Sequence, residues 1–229
     1  MQIRQHLLID ADDTLWENNI YFEHALDDFV EFLAHSRLTS AEIRDVLNEI
    51  ELTNAKLHGY GSMNFGRNLQ QCYEHLAERH IAPDDLVRVM QFAERILAKP
   101  IELIDGVEET LRYLSARHEL TLFTKGHPEE QKLKVDRSGL AHHFAHTAIV
   151  KEKDVATYRA LITERGIDPE NGWMIGNSPK SDVNPALEAG LGAVFVPHAR
   201  TWVLEKTDLR RDFPRLREVE QFADLQTLF

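Results

Sequence analysis

The sequence predicts an α/β protein, an open parallel sheet core that carries an inserted α-helical domain. Three observations predict it. Five short runs, "HLLID" (6–10), "LTLFT" (120–124), "HTAIV" (146–150), "WMIG" (173–176) and "AVFVP" (193–197), are brief and apolar on both faces, as strands are when helices cover the sheet on each side. Helical spacing recurs between the later runs, so strand and helix alternate. About a hundred residues separate the first run from the second, far more than a crossover requires.

Local chemistry justifies each element in turn. Val107, Leu111 and Leu114 form one helical stripe. Pro128 opens a second helix at a position where its missing N–H costs nothing. Asp154 caps a third, which stops near Gly166, and a helix around Ala186 and Leu187 stops near Gly190. The long segment after the first strand carries four more stripes. Phe22, Ala25, Leu26, Phe29, Val30 and Leu33 make the first. Thr39 and Glu42 match a capping box ahead of Ile43, Val46, Leu47 and Ile50. Leu69, Cys72, Tyr73 and Leu76 form the third, and Leu86, Val89, Ala93, Ile96 and Leu97 the fourth. Pro100 marks the return to the sheet. The expected division is a core of residues 1–16 and 100–229 and a helical domain of 17–99.

Composition narrows the function classes. The chain has 229 residues, 43% hydrophobic and 28% charged, with a formal net charge of −12. That charge argues against nucleic acid or an acidic membrane surface as partner. The single cysteine, Cys72, excludes an internal disulfide and points to a reducing compartment. No apolar run approaches a membrane span, and the N-terminus lacks the shape of a signal peptide. The expected location is the cytoplasm. The sequence does not decide between a monomer and a homodimer.

The stretch "LLIDADDTLW" (7–16) carries the chemistry, with Asp10, Asp12 and Asp13 just past the end of the first strand. Such a cluster is either an acidic turn with helix-capping duties or a site for a hard cation, which takes oxygen ligands. A calcium loop lacks support, because the glycine of its sharp turn is missing. Three other strand ends carry reactive groups: Thr124 in "LFTKG", Lys153 in "VKEKD" and Asp182 in "GNSPKSD". An open parallel sheet brings its strand ends to one crevice. A hydroxyl, an ammonium and a third carboxylate beside an aspartate pair suit phosphoryl transfer. Lys125, beside Thr124, is a further candidate for contact with substrate.

With these residues placed, the sequence resembles the haloacid dehalogenase superfamily of hydrolases over nearly its whole length. The family's first motif, Asp-x-Asp-x-Thr after an apolar strand, reads Asp10-Ala11-Asp12-Asp13-Thr14. The strand-ending Thr or Ser of the second is Thr124, the Lys of the third is best matched by Lys153, and the acid of the fourth is Asp182. The resemblance implies a Rossmann-like core, and the insertion resembles the family's helical cap domain. It further implies that Asp10 is a nucleophile forming an aspartyl-phosphate. Asp12 then protonates the leaving oxygen and afterwards activates water. Mg2+ is held by the Asp10 carboxylate, the Asp12 carbonyl and the Asp182 carboxylate. Thr14 braces the loop, and Asp13 caps the turn.

The implied function is a magnesium-dependent phosphohydrolase acting on small phosphorylated metabolites. The alternatives are a 2-haloacid dehalogenase-type hydrolase and a non-catalytic phosphate-binding module on the same fold. Dehalogenases of the family lack an acid two positions after the nucleophile, whereas this chain has Asp12. Two features depart from the common pattern. Asn177 stands where many relatives have an acid, and Lys153 lacks the proline that often follows this lysine, with Lys151 nearby.

Other conspicuous residues have weaker claims. "HGYGSMNFGR" (58–67) is expected to be a glycine-rich interhelical turn, with Tyr60, Ser62, Asn64 and Arg67 as candidate substrate contacts. Trp16 and Asn19 follow the catalytic loop and either line an entrance or pack. His142, His143 and His146 have no acid or cysteine to complete a metal site and read as a solvated loop. His198 follows the fifth strand on the side of the crevice.

Overall fold

A computed structural model of the protein describes residues 4–229. Its strands are β1 (His6–Ile9), β2 (Glu119–Lys125), β3 (His146–Val150), β4 (Gly172–Gly176), β5 (Gly192–Phe195) and β6 (Leu216–Glu218). They form one sheet in the order β3-β2-β1-β4-β5-β6, with every pairing parallel. The chain folds into two compact units, Met1–Glu17 with Ile101–Phe229, and Asn18–Pro100.

The sheet explains its sequence. Strand β1 is central, so Leu7, Leu8 and Ile9 are wholly buried. Alternate residues serve opposite faces. Leu7 and Ile9 pack with Leu111, Leu122 and Ile175 on one side, and Leu8 packs with Phe123, Tyr158 and Met174 on the other. Strand β6 has no counterpart in the sequence reading, because "LRE" offers one apolar residue in a three-residue edge strand. From β1 the chain builds outward to β2 and β3, then crosses back to β4, β5 and β6 on the other side. The order therefore reverses at β1, which places a crevice at the carboxyl ends of β1, β2 and β4.

The helices of the second unit are α1 (Asn19–Leu33), α2 (Ser40–His58), α3 (Ser62–Leu76) and α4 (Pro83–Ala98). The sheet unit contributes α5 (Val107–Ser115), α6 (Pro128–Ser138), α7 (Val155–Arg165), α8 (Asn184–Glu188) and α9 (Leu225–Leu228). Helix α7 opens with Asp154 accepting from the Thr157 N–H at 2.8 Å and ends at Gly166 in the left-handed region, φ 60°. Helix α2 opens on a complete capping box of Thr39 and Glu42.

In the second unit the four apolar stripes meet around Phe29, Leu47, Leu69, Tyr73 and Val89. Cys72 is fully buried there, and burial, with the nearby Glu51, pushes its thiol up to about 12. One expectation is corrected. Residues 58–67 are not one turn, because α3 already begins at Ser62. Gly59 and Gly61, with φ 77° and 124°, make the reversal. Gly66 lies inside α3, where an added Cβ would stand 2.4 Å from Met90 Sδ and 3.0 Å from the Ala93 Cβ, so its role is close packing against α4. Asn64 donates to the His58 carbonyl at 2.7 Å and accepts from Arg67 at 2.9 Å, while Ser62 is fully buried.

The "AHHFAH" segment is also more ordered than a solvated loop. His142 and His143 lie in a 3-10 turn, Ala141–His143, and His146 opens β3. No helix among the described residues is long and apolar enough to cross a membrane.

Candidate active site

Backbone bonding delivers Asp10 to the crevice. Its N–H continues the sheet ladder to the Ile175 carbonyl at 2.9 Å, and the chain then turns sharply away. The turn needs a left-handed residue, and Asp13 supplies it at φ 59°, a conformation that aspartate tolerates. Thr14 ties the loop internally, donating to Asp10 Oδ2 at 3.1 Å and Asn177 Oδ1 at 3.3 Å. Asn177 in turn donates to Thr201 at 2.9 Å.

Lys153 reaches Asp10 from the loop between β3 and α7. Its ammonium stands 2.5 Å from Asp10 Oδ1 and 2.8 Å from Asp182 Oδ1, all three side chains being buried. Lys151 is exposed. The Lys153 ammonium also lies 5.1 Å from the centre of the Phe123 ring. Burial disfavours that charge, but Asp10 and Asp182 more than offset it, so Lys153 is held above the usual lysine value. Burial, reinforced by Asp182 and opposed by Lys153, pushes the Asp10 carboxyl up to about 7.

Asp182 is anchored on one oxygen and turned inward on the other. Its Oδ2 accepts from the Ser178 N–H at 2.9 Å, while Oδ1 faces Lys153. The side chain lies flat against β4, where a Cβ on Gly176 would come 2.3 Å from Asp182 Oδ2. The buried Tyr158 hydroxyl supports the same turn through the carbonyls of Ser181 at 3.0 Å and Asp182 at 3.2 Å.

Asp12 has partners that sequence reasoning missed. Lys134 donates to both of its oxygens at 2.9 and 2.8 Å, Trp16 Nε1 to Oδ1 at 2.8 Å, and Gln131 to Oδ2 at 3.1 Å. Trp16 is thus buried packing with a polar edge. The Gln131 amide also donates to Thr124 Oγ1 at 2.6 Å, linking Thr124 to Asp12. Gln131 and Lys134 lie on the first turns of α6, three residues apart on one face. That spacing, after the Thr124 strand, was the signal available. Lys125 pairs with Glu205 at 2.5 Å and Ser181 at 2.8 Å.

Asp10, Asp12, Lys125, Lys153, Asn177 and Asp182 are among the residues lining one cavity of about 70 Å³. That is far below the roughly 300–1,000 Å³ of a site enclosing a whole small molecule, and suits a phosphoryl-sized group. Its walls carry five carboxylates, from Asp10, Asp12, Asp13, Asp182 and Glu205, against the ammonium groups of Lys125 and Lys153. The excess of hard oxygen donors, with Asp10 Oδ1 and Asp182 Oδ1 converging on one Lys153 atom, fits a divalent cation. A separate cluster of Asp13, Glu17 and His198 also brings possible metal donors together, within 4.8 Å of one another. Tyr60, Ser62, Asn64 and Arg67 belong to the second unit.

Comparison with known proteins bears on the family and the fold. A crystal structure of a haloacid dehalogenase-like family hydrolase from Xanthomonas campestris aligns with a TM-score of 0.85 and 30% identity, covering 100% of this chain and 95% of that one. A 2-haloacid dehalogenase from Pseudomonas syringae pv. Tomato shares the fold at a TM-score of 0.65 and 19% identity, over 99% and 98% of the two chains. A phosphoserine phosphatase from Thermus thermophilus is 37% identical over 115 residues, which are 48% of this chain and 43% of that relative's length. The family model for haloacid dehalogenase-like hydrolases matches residues 5–190, and the chain belongs to that family.

Proposed function

We propose that the protein is a magnesium-dependent phosphomonoesterase that hydrolyses small phosphorylated metabolites through an aspartyl-phosphate on Asp10. One observation carries the reading. The Asp10 and Asp182 carboxylates converge, with Lys153 between them, in a cavity of phosphoryl size. Asp10 attacks phosphorus, so a bond from its carboxylate oxygen to phosphorus forms as the ester P–O bond breaks. Asp12 gives its proton to the leaving alkoxide. In the second step Asp12 takes a proton from water, the water oxygen bonds phosphorus, and the Asp10–phosphorus link breaks, releasing phosphate. Lys153 and Thr124 hold the phosphoryl oxygens. Asp10, Asp182 and the Asp12 backbone carbonyl would hold magnesium, which offsets the charge on the phosphoryl oxygens when bound.

Asp12 is what favours ester hydrolysis over halide displacement. A halide leaves without a proton, so Asp12 and its three donors, Lys134, Trp16 and Gln131, have no task in dehalogenation. Similarity to a phosphoserine phosphatase over part of the chain puts phosphoserine among the esters to test. Selection among esters is assigned to the second unit as a cap. Ser62 is buried and Asn64 and Arg67 bond to each other, so Tyr60 and Arg67 are varied with a melting curve beside the kinetics to separate loss of structure from loss of substrate contact. The test is phosphate release from a panel of phosphomonoesters with and without magnesium, with Asp10→Asn as blank. Magnesium-dependent release that vanishes in Asp10→Asn supports the reading. Halide release from haloacids with no phosphate release rejects it.

A further inference from the structure

Glu205 has no place in the chemistry above, yet it is buried in the wall of the same cavity. It sits in a short turn, Val203–Glu205, eighty residues from its ionic partner Lys125. Its Oε1 lies 2.5 Å from Lys125 Nζ, and its Oε2 accepts from Ser178 Oγ at 2.6 Å. Ser178 Oγ also accepts from the Ser181 N–H at 2.9 Å, and Lys125 donates to Ser181 Oγ at 2.8 Å. The Ser178 N–H donates to Asp182 Oδ2 at 2.9 Å. A continuous chain of contacts therefore runs from Lys125 through Glu205 and Ser178 to Asp182.

Burial pushes the Glu205 carboxyl up, but Lys125 and hydrogen bonds from Lys125, Ser178 and Ser181 outweigh it, so the group stays ionised. A buried ion pair is a poor device for pinning a loop, because apolar residues of similar volume stabilise as well or better. The Ser178 N–H holds one Asp182 oxygen while the other faces Lys153, so the placing of Ser178 bears on the direction of that second oxygen.

We infer that Glu205, neutralised by Lys125 and acting through Ser178, is a positioning residue that sets the Asp182 carboxylate for cation binding. The inference rests on the reading of Asp182 as a magnesium ligand. Both Glu205 oxygens are engaged, by Lys125 and Ser178, so it acts through Asp182 rather than as a ligand itself. It sets the affinity for metal.

The test is calorimetric titration of Mg2+ into the metal-free full chain, with Mn2+ binding read by electron paramagnetic resonance as a second probe. Glu205→Gln keeps the shape and removes the charge, and is expected to weaken binding roughly 10- to 100-fold. Ser178→Ala breaks the same link with a small side chain and is expected to weaken it similarly. It carries the test if Glu205→Gln does not fold. The double variant is expected to bind no more weakly than the weaker single variant, since both cut one relay. Folded Glu205→Gln and Ser178→Ala that bind like wild type, even with a lowered Tm, overturn the inference while leaving Asp182 as a ligand. A wild-type chain that binds neither metal overturns the metal reading of Asp182 and the inference together.

Discussion

The Lys153 ammonium stands 2.5 Å from Asp10 Oδ1, a buried ion pair joining the end of β1 to the loop after β3. It also neutralises Asp182. Removing it leaves two carboxylates buried together. In metal-free protein Lys153→Met is expected to lose about 3–5 kcal/mol at pH 8. The sign follows from Asp10, whose folded value near 7 lies above its unfolded one. Its folded form binds the proton more tightly, so stability falls as pH rises from the ordinary carboxylate range through about 7. Lys153→Met raises that value further, so the deficit is smaller at pH 5 than at pH 8. Thermal unfolding at both pH values, in chelator and then in excess magnesium, checks this. Magnesium is expected to narrow the gap.

Gly176 is the last residue of β4, and its missing side chain makes room for Asp182. Gly176→Ala places a methyl group 2.3 Å from Asp182 Oδ2. The carboxylate must move off its bond to Ser178. A loss of about 1–3 kcal/mol in urea unfolding is expected, together with weaker magnesium binding by calorimetry. An alanine variant with wild-type affinity would show that the anchor on Oδ2 is dispensable.

Lys134 contacts both Asp12 oxygens from α6. In the proposed reaction its task is to orient the group that moves the proton. Lys134→Met is expected to lower kcat roughly 10- to 100-fold with little change in Tm or in magnesium affinity. Steady-state kinetics on one good ester, beside a melting curve, separates this from simple destabilisation.

Glu51 in α2 is buried within the helical unit, and burial, with Glu23 nearby, pushes its carboxyl up to about 7 despite Arg44. Its folded value lies above its unfolded one, so it favours folding at low pH and loses that benefit as pH rises through about 7. Glu51→Gln, which cannot ionise, is expected to gain stability over wild type at pH 8, on the order of 2 kcal/mol. The gain should fade by pH 5. The difference between the two proteins across a pH series of melting curves is the measurement.

The fold was largely legible because its signals are local. Continuous apolar strands, Pro128, the Asp154 cap and the Thr39–Glu42 box each act within a few residues. Strand β6 was not, since one leucine in three residues leaves no pattern. Asp10, Lys153 and Asp182 could be grouped before any coordinates because parallel topology brings strand ends together. The contacts of Lys134 with Asp12 and of Glu205 with Lys125 depend on helix rotation and on a loop crossing eighty positions, which periodicity does not encode. Gly66 misled for a related reason. A glycine that admits a neighbouring helix and one that makes a turn look the same in sequence.

The central claim is that Asp10 carries the phosphoryl group during turnover. The most direct measurement is mass spectrometry of protein acid-quenched while hydrolysing an ester in magnesium, followed by digestion. The account predicts one phosphoryl group on the peptide containing Asp10, absent from Asp10→Asn. Ester hydrolysis with no phosphorylated peptide, and with turnover retained in Asp10→Asn, would contradict it.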